Sequence, residues 1–250
     1  MDFPTPLIRG RLIKRYKRFL CDVELEDGST ITATCANTGS MKGLVTPGAS
    51  IWLSESDSPT RKYRHTWEMV EHDAGAGPTI VGINTGLPNR IVFEAIDAGR
   101  IAPLKGYAAQ RREVKYGQNS RIDILLEDPK KGSCYVEIKN VHFMRDKGLA
   151  EFPDSVTTRG AKHLGELAQM VRDGHRAVML FLVQRADATR LTLARDIDPD
   201  YGTAFDAAKA AGVEALAYRC ALTDQGIELD RKIPVSVSRA SLCPKPMTRV

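Results

Sequence analysis

SRIDILLEDPKKGSCYVEIKN, residues 120–140, holds two runs of alternating apolar and polar residues on either side of Glu127 to Ser133, a segment with Asp, Pro and Gly. Alternation with period two marks a strand with one buried face, and Asp, Pro and Gly supply turn conformations, so the stretch predicts an antiparallel hairpin. Symmetry about Lys130 sets Asp123 opposite Glu137 on one face, with Ile124 opposite Val136 and Ile122 opposite Ile138 on the other. A slip of one residue destroys both agreements. Opposed side chains have Cβ atoms about 5 Å apart, so the two carboxylates can share a hard cation, with oxygens at roughly 2.1 Å for magnesium. Lys139, two residues beyond Glu137, shares its face.

Upstream, EVKYG (113–117) reads as a further strand and NRIVFEAIDAGR (89–100) as a helix, with Ile91, Val92, Ala95 and Ile96 at helical spacing, Asn89 as N-cap and Gly99 as the stop. Glu94 lies opposite part of that stripe; a solvated charge is its default reading, and support for a metal at the hairpin is the alternative. Downstream, PDSVTTRGAKHLGELAQMVRDG (153–174) reads as a helix entered between Asp154 and Thr158 and ended by Gly174, with Leu164, Leu167, Ala168 and Val171 on its apolar face. RAVMLFLVQ (176–184) is a continuous apolar run, the pattern of a strand buried on both faces. DPDYGTAFDAAKAAG (198–212) gives a third helix, and VEALAYRCAL (213–222) and GIELDRKIPVSV (226–237) give two strands. The succession predicts an α/β sandwich with a mixed sheet over residues 87–237 and a mobile tail over 238–250.

Residues 1–86 read differently, as six short strands between turns: LIRGRLIKRY, FLCDVELEDG, STITATCA, SIWLSESD, TWEMVEHD and TIVGINTG. Short strands at regular spacing predict an OB-like barrel that binds nucleic acid, or else a small β domain serving as a packing or dimer surface. Arg9, Arg11, Lys14, Arg15, Lys17 and Arg18 face a single acid, Asp2, within the first twenty residues, which makes the first strand locally basic. Arg61, Lys62, Tyr63, Arg64 and His65 form a second basic and aromatic cluster, suited to phosphates and base stacking but also ordinary for a solvated loop. Asn37-Thr38-Gly39 and Asn84-Thr85-Gly86 repeat a triplet whose first explanation is turn chemistry, with phosphate contact as a lesser role.

The chain has 250 residues, 42% of them hydrophobic, enough for one large domain or two small ones. No apolar run is long enough to span a membrane and MDFPTPLIRGR lacks a signal core, so a cytoplasmic protein is expected. Cys21, Cys35, Cys134, Cys220 and Cys243 are scattered and never form a CxxC pair, which argues against a zinc knuckle or a disulfide framework and points to buried or incidental thiols.

Acid-x-Lys triplets recur by accident. Glu113-Val-Lys115 has no acid on a preceding strand, and Asp128-Pro-Lys130 sits in the turn. The set Asp123, Glu137 and Lys139 alone puts two acids and a lysine on one face of a hairpin, as metal-assisted phosphodiester hydrolysis requires; a charged solvent face is the alternative. Thr157, Thr158, Arg159, Lys162 and His163 add positive charge at a helix start, where a phosphate is favoured; Arg159 and Lys162 share a face, and either threonine can cap. His142 and His163 have no partner at metal spacing and are not read as zinc ligands.

The hairpin with its Asp, then Glu-x-Lys and a helix, resembles the PD-(D/E)xK nuclease fold, with Ile122 in place of the nominal proline. Over nearly the full length, FPTPLIRGRLIKRYKRFL, NTGSMKGL, TGLPNR, GQNSRID, YVEIKNV, EFPDSVTTRGAKHL and DIDPDYG resemble the sugar fermentation stimulation protein A family. The resemblance implies an N-terminal OB-like β-barrel followed by a restriction-endonuclease-like α/β domain with a mixed sheet, and a DNA-binding role linked to regulation of sugar (maltose) metabolism. Asp123, Glu137 and Lys139 match the nuclease motif position by position; Glu94 matches only the expectation of an acid on the preceding helix.

The expected function is therefore a nuclease dependent on Mg2+ or Mn2+, acting on DNA in preference to RNA, without a membrane and with a homodimer as one way to cut both strands. The alternatives are a catalytically silent, largely sequence-nonspecific DNA-binding regulator and a purely structural protein.

Overall fold

A computed structural model describes residues 1–75, 77–117 and 120–236; the expected tail and Cys243 lie outside the described residues. The N-terminal strands are β1 (Ile8–Tyr16), β2 (Leu20–Leu25), β3 (Thr30–Cys35), β4 (Ser50–Glu55), β5 (His65–Asp73) and β6 (Pro78–Gly82). A bulge between Leu12 and Lys14 bends β1, which pairs with β2 along one edge and β4 along the other. Gly10 permits that close crossing, since a Cβ there would meet Val23 Cγ1 at 2.6 Å. Parallel pairing of β3 with β5, Thr34 to Thr66 and Cys35 to Trp67, closes β1 to β5 into a barrel around Leu12, Val23, Leu53, Trp67 and Val70. Closure satisfies edges that short strands would otherwise expose.

The second half is built on α1 (Pro88–Asp97), β7 (Ala109–Tyr116), β8 (Ser120–Asp128), β9 (Gly132–Val141), β10 (Met144–Asp146), β11 (Leu149–Phe152), α2 (Thr158–Arg172), β12 (Arg176–Val183), β13 (Arg190–Leu193), α3 (Pro199–Ala210), β14 (Glu214–Leu222), β15 (Ile227–Ile233) and β16 (Val235–Ser236). Its main sheet runs β15-β14-β12-β9-β8-β7, with β9, β12 and β14 parallel and the outer strands antiparallel. Helix α1 covers one face; α2 and α3 cover the other. On β12, Val178, Leu180 and Leu182 enter the first layer, and Met179, Phe181 and Val183 the second, which is why its sequence is apolar without alternation. Each such side chain contributes about 1.5–3 kcal/mol by burial. A small sheet, β10-β11-β13-β16, was not expected from the sequence.

The two halves meet at several points. Gly82 N donates to Gln184 O at 2.9 Å, and Val81 bridges to Arg185. The Asp154 carboxylate accepts from Ser40 Oγ at 2.8 Å and from Met41 N at 3.2 Å. The two Asn-Thr-Gly triplets are Asx turns: Asn37 Oδ1 and Asn84 Oδ1 each accept from the glycine two residues on, at 2.8 Å. They also hold each other, through Thr85 N on Ala36 O and Asn37 Nδ2 on Ile83 O. The four described cysteines are buried and free. Among the described residues no helix is long and apolar enough to cross a membrane.

The hairpin keeps the expected register from Ile124–Val136 to Asp128–Gly132. It departs at Asp123. Ile122 does not join Ile124 and Ile138 on the α1 side; it packs with Leu125 in the α2 layer. The cause is a kink shared with β7: Arg112 pairs with Ile124 and Val114 with Ile122, while Glu113 between them takes φ 54°. Asn89 is not the N-cap of α1 either. Leu87 holds that position and Asn89 sits in the first turn after Pro88, its side chain directed elsewhere.

Candidate active site

The kink turns Asp123 toward β9, where its Oδ2 accepts the Ile138 N–H at 2.7 Å in place of a regular ladder bond. Its Oδ1 accepts from Asn89 Nδ2 at 2.8 Å, so helix α1 braces the acid through an amide. Glu137, 2% exposed, presents Oε1 to Lys139 Nζ at 2.7 Å and to His163 Nδ1. His163 Nε2 accepts from Arg159 Nε at 3.3 Å, which makes Nδ1 the donor to Glu137. Helix α2 supplies this histidine because Thr157 caps it, its side chain accepting from Gly160 N at 3.1 Å. Asp123, Glu137, Lys139, Arg159, Lys162 and His163 line one cleft of about 660 Å³, together with Asn89, Glu113, Arg121 and Asn140.

Burial first, and then the neighbouring Glu137, push the Asp123 carboxyl up to about 6, against the pull of the Ile138 N–H, Asn89 and Lys139. Burial also acts to raise Glu137, but hydrogen bonds from His163 and Lys139 outweigh it and hold that carboxyl below its ordinary value. The pair is thus split by its surroundings, the pattern expected of two neighbouring acids that share a site.

A stability prediction follows from the sign of the Asp123 shift. Between the ordinary value of 3.8 and about 6, the folded chain keeps a proton that the unfolded chain has lost, so this group costs stability as pH rises through that window. Asp123→Asn removes the charge and keeps an acceptor for the Ile138 N–H. In metal-free buffer its melting temperature is expected to draw ahead of the wild type between about pH 4 and 6, by the equivalent of about 1–3 kcal/mol, and to hold that lead above. Thermal melts of both proteins across that range check it.

Glu94 is not in the cleft. It pairs with Arg90 at 2.7 Å and with the N-terminal amine at 3.2 Å, in a separate cavity beside Arg100 and Glu228. Successive helix residues turn by about 100°, so Asn89 and Glu94 point roughly 140° apart, and it is Asn89 that faces the hairpin. Glu113, set aside by its sequence context, does line the cleft. Among the described residues no three carboxylate, imidazole or thiol groups stand together as a ready metal cage.

The basic residues of the barrel divide by their partners. Arg15 spends its guanidinium on the carbonyls of Arg18, Asn37 and Gly39, and Arg18 donates to Thr38 O at 2.8 Å, so both brace the first Asx turn. Arg9 stacks over Trp52 at 5.3 Å, Arg11 reaches Gly48 O, and Lys14 lies 3.5 Å from Asp22. Lys17 is exposed on the β1–β2 turn. Arg61 donates to Thr66 Oγ1 at 2.9 Å, Lys62 lies over Tyr63, and Arg64 pairs with Glu55 at 3.3 Å. Of the residues expected to bind nucleic acid, Arg159 and Lys162 line the cleft. Arg121 joins them there without a sequence signal for the site, and His163, read from the sequence only as added positive charge at the helix start, lines it as well.

An OB-type barrel followed by a restriction-endonuclease-like α/β domain, with two acids and a lysine at the kink of a mixed sheet, defines the class. Residues 13–83 match the family described as SfsA N-terminal OB domain, and residues 86–226 that described as Sugar fermentation stimulation protein RE domain. The chain belongs to the sugar fermentation stimulation protein family. A sugar fermentation stimulation protein homolog of Brucella ovis is 58% identical over 239 residues, covering 96% of this chain and 99% of that protein. The homolog of Rhizobium meliloti is 60% identical over 223 residues, 89% of this chain and 92% of its own length. Among solved structures, Pyrococcus furiosus SfsA in complex with Ca2+ superposes with a TM-score of 0.84 at 26% identity, covering 94% of this chain and 98% of that one.

Proposed function

We propose that the chain is a Mg2+- or Mn2+-dependent nuclease, in which residues 1–86 hold DNA and residues 87–237 cut it at Asp123, Glu137 and Lys139 in a PD-(D/E)xK arrangement. The observation that carries this reading is Glu137: a carboxylate 2% exposed, lining the cleft opposite Asp123, whose Oε2 has no hydrogen-bond partner. A buried carboxylate oxygen without a donor is costly unless a cation completes it. The relative from Pyrococcus furiosus, described in complex with Ca2+, supports a hard divalent ion.

Asp123 and Glu137 are the residues that fit such an ion. Magnesium is commonly held by one or two carboxylates, its other ligands being water and substrate phosphate. The ion supplies Lewis acidity toward the phosphoryl oxygens and a lowered pKa for water. Lys139, held at 2.7 Å from Glu137, places its ammonium where negative charge grows in the transition state. Arg159 and Lys162, in the first turns of α2, neutralise the phosphate, and His163 holds Glu137 in place.

Cleavage assays on single-stranded, duplex and branched DNA and on RNA, with and without Mg2+ or Mn2+, test the reading. Ion-dependent cutting that is lost in Asp123→Asn is expected. Cutting that survives that substitution overturns the site. Salt-sensitive DNA binding with no cutting by the wild type instead favours the silent regulator of sugar metabolism.

A further inference from the structure

Lys17 and Arg18, in the turn between β1 and β2, both have positive φ, 49° and 66°. Glycine and asparagine are the ordinary occupants of such positions, because a Cβ is crowded there. The chain instead places two long cations on them and follows with Phe19, 50% exposed. A single apolar side chain on a surface calls for no explanation. A strained turn that displays two cations and an aromatic ring in succession does.

The turn is held in place by its neighbours. Arg15 Nη2 donates to Arg18 O at 2.7 Å, Arg18 Nε donates to Thr38 O at 2.8 Å, and Phe19 O accepts from Cys35 N at 2.8 Å. Carbonyls satisfy these guanidinium groups without neutralising them, and Asp22 of β2 is engaged by Lys14 and Tyr16. Lys17 forms no ion pair among the described residues, and Arg18 keeps both Nη groups for a ligand. The same contacts lead to the cleft. Thr38 belongs to the first Asx turn, which holds Thr85 through Ala36 O, and Thr85 lines the cleft. Ser40 donates to Asp154, and exposed Val156 follows, immediately before Thr157 of the cleft wall. Phe19 and Val156, two large apolar side chains left exposed, therefore stand at the two ends of one path.

A base inside a duplex has its faces covered by its neighbours, whereas an unpaired base offers one to an aromatic ring. We propose that Phe19 is a stacking platform for an unpaired nucleotide, that Lys17 and Arg18 bind the flanking phosphates, and that the strand continues past Thr38 and Val156 into the cleft. The substrate class is then DNA with a single-stranded segment beside the cut. The inference rests on the nuclease reading for the strand's destination, and its test is binding rather than cutting.

Titrations of the full chain without Mg2+ or Mn2+, using a single-stranded DNA oligomer and a blunt duplex of the same length, check it. Phe19→Trp places an indole at the tip, while Trp52 and Trp67 are buried. The single strand is expected to quench the added emission, and the duplex to leave it nearly unchanged. Phe19→Ala is expected to weaken single-strand binding about 5- to 150-fold, the equivalent of about 1–3 kcal/mol for one lost stack, with duplex affinity and salt slope unchanged. Lys17→Gly removes a charge and relieves the left-handed backbone, so it should melt no lower than the wild type yet bind the single strand more weakly, with a salt slope smaller by about one. Wild-type affinity in Phe19→Ala, or equal quenching by duplex and single strand, overturns the platform and leaves the nuclease reading standing, since Asp123→Asn tests that by cutting. No binding of either DNA by the wild type overturns both.

Discussion

Lys139→Met is expected to lower the rate of phosphodiester cleavage by about 10²–10³-fold, with the fold and nucleic-acid affinity nearly unchanged. The lysine is mostly buried on β9, and its ammonium is tied to Glu137 Oε1 at 2.7 Å. Methionine matches its length and apolar stem, so little packing is lost. Glu137 keeps a hydrogen bond from His163 Nδ1 in the variant, so the buried carboxylate is not left bare. On the proposed nuclease reading, what disappears is a positive charge fixed beside the phosphate, where an enclosed site of low effective dielectric makes it worth far more than in water. One phosphate contact fewer changes the salt dependence of binding by about one unit at most, which separates a catalytic role from a binding role. Lys139→Arg is expected to recover little, because a planar guanidinium cannot take the position of a compact ammonium in so enclosed a space. Single-turnover cleavage with saturating enzyme, alongside binding isotherms at several salt concentrations, measures both quantities. A Lys139→Met rate equal to that of the wild type removes the lysine from the mechanism.

The hairpin register from Ile124–Val136 to Asp128–Gly132 was legible because alternation fixes the face and the turn fixes the register, and both agreed about Lys130. The inward turn of Ile122 was not legible, because it depends on a left-handed Glu113 on the neighbouring strand, and EVKY reads as an ordinary strand. The same kink hid Glu113: its partner acid follows it in sequence, and the rule that discarded it looked only upstream. Glu94 was open as a supporting ligand, beside its default reading as a solvated charge, because helical spacing identifies a buried stripe without saying which polar residue faces the cleft, and Asn89 takes that position. His163 lies 26 residues from Glu137, so only the packing of α2 on the sheet brings them together. The barrel strands were legible from their turns, whereas β10, β11 and β13, of three or four residues each, are too short for any period to register. Basic residues at the N-terminus were visible as charge, but Arg15 shows that charge alone does not separate a ligand contact from a brace.

Arg185→Ala is expected to destabilise the protein by about 3–5 kcal/mol, the largest single loss of stability predicted for this chain. Arg185 is 0% exposed, donates to both carboxylate oxygens of Asp187 at 2.7 Å and to His142 O at 2.9 Å, and its backbone bridges to Val81 of the barrel. It therefore sits where β12 ends and the two halves of the chain meet. Truncation leaves the mostly buried Asp187 without its cation, leaves the His142 carbonyl without this donor, and opens a cavity the size of the side chain. At about 2–4 °C per kcal/mol for a chain of this size, the melting temperature should fall by roughly 6–20 °C. The cause is separable from lost volume. Arg185→Met fills most of the space yet still strands Asp187, so it is expected to recover only part of the loss. Arg185→Met with Asp187→Leu removes both charges together, and a buried ion pair exchanged for apolar groups of similar volume is often neutral. The double variant should therefore melt above Arg185→Met alone, by several degrees, in a urea or thermal cycle of the four proteins. If the double variant is the less stable of the two, the pair contributes net stability of its own, and the barrel junction depends on the arginine rather than on the avoidance of an unpaired acid.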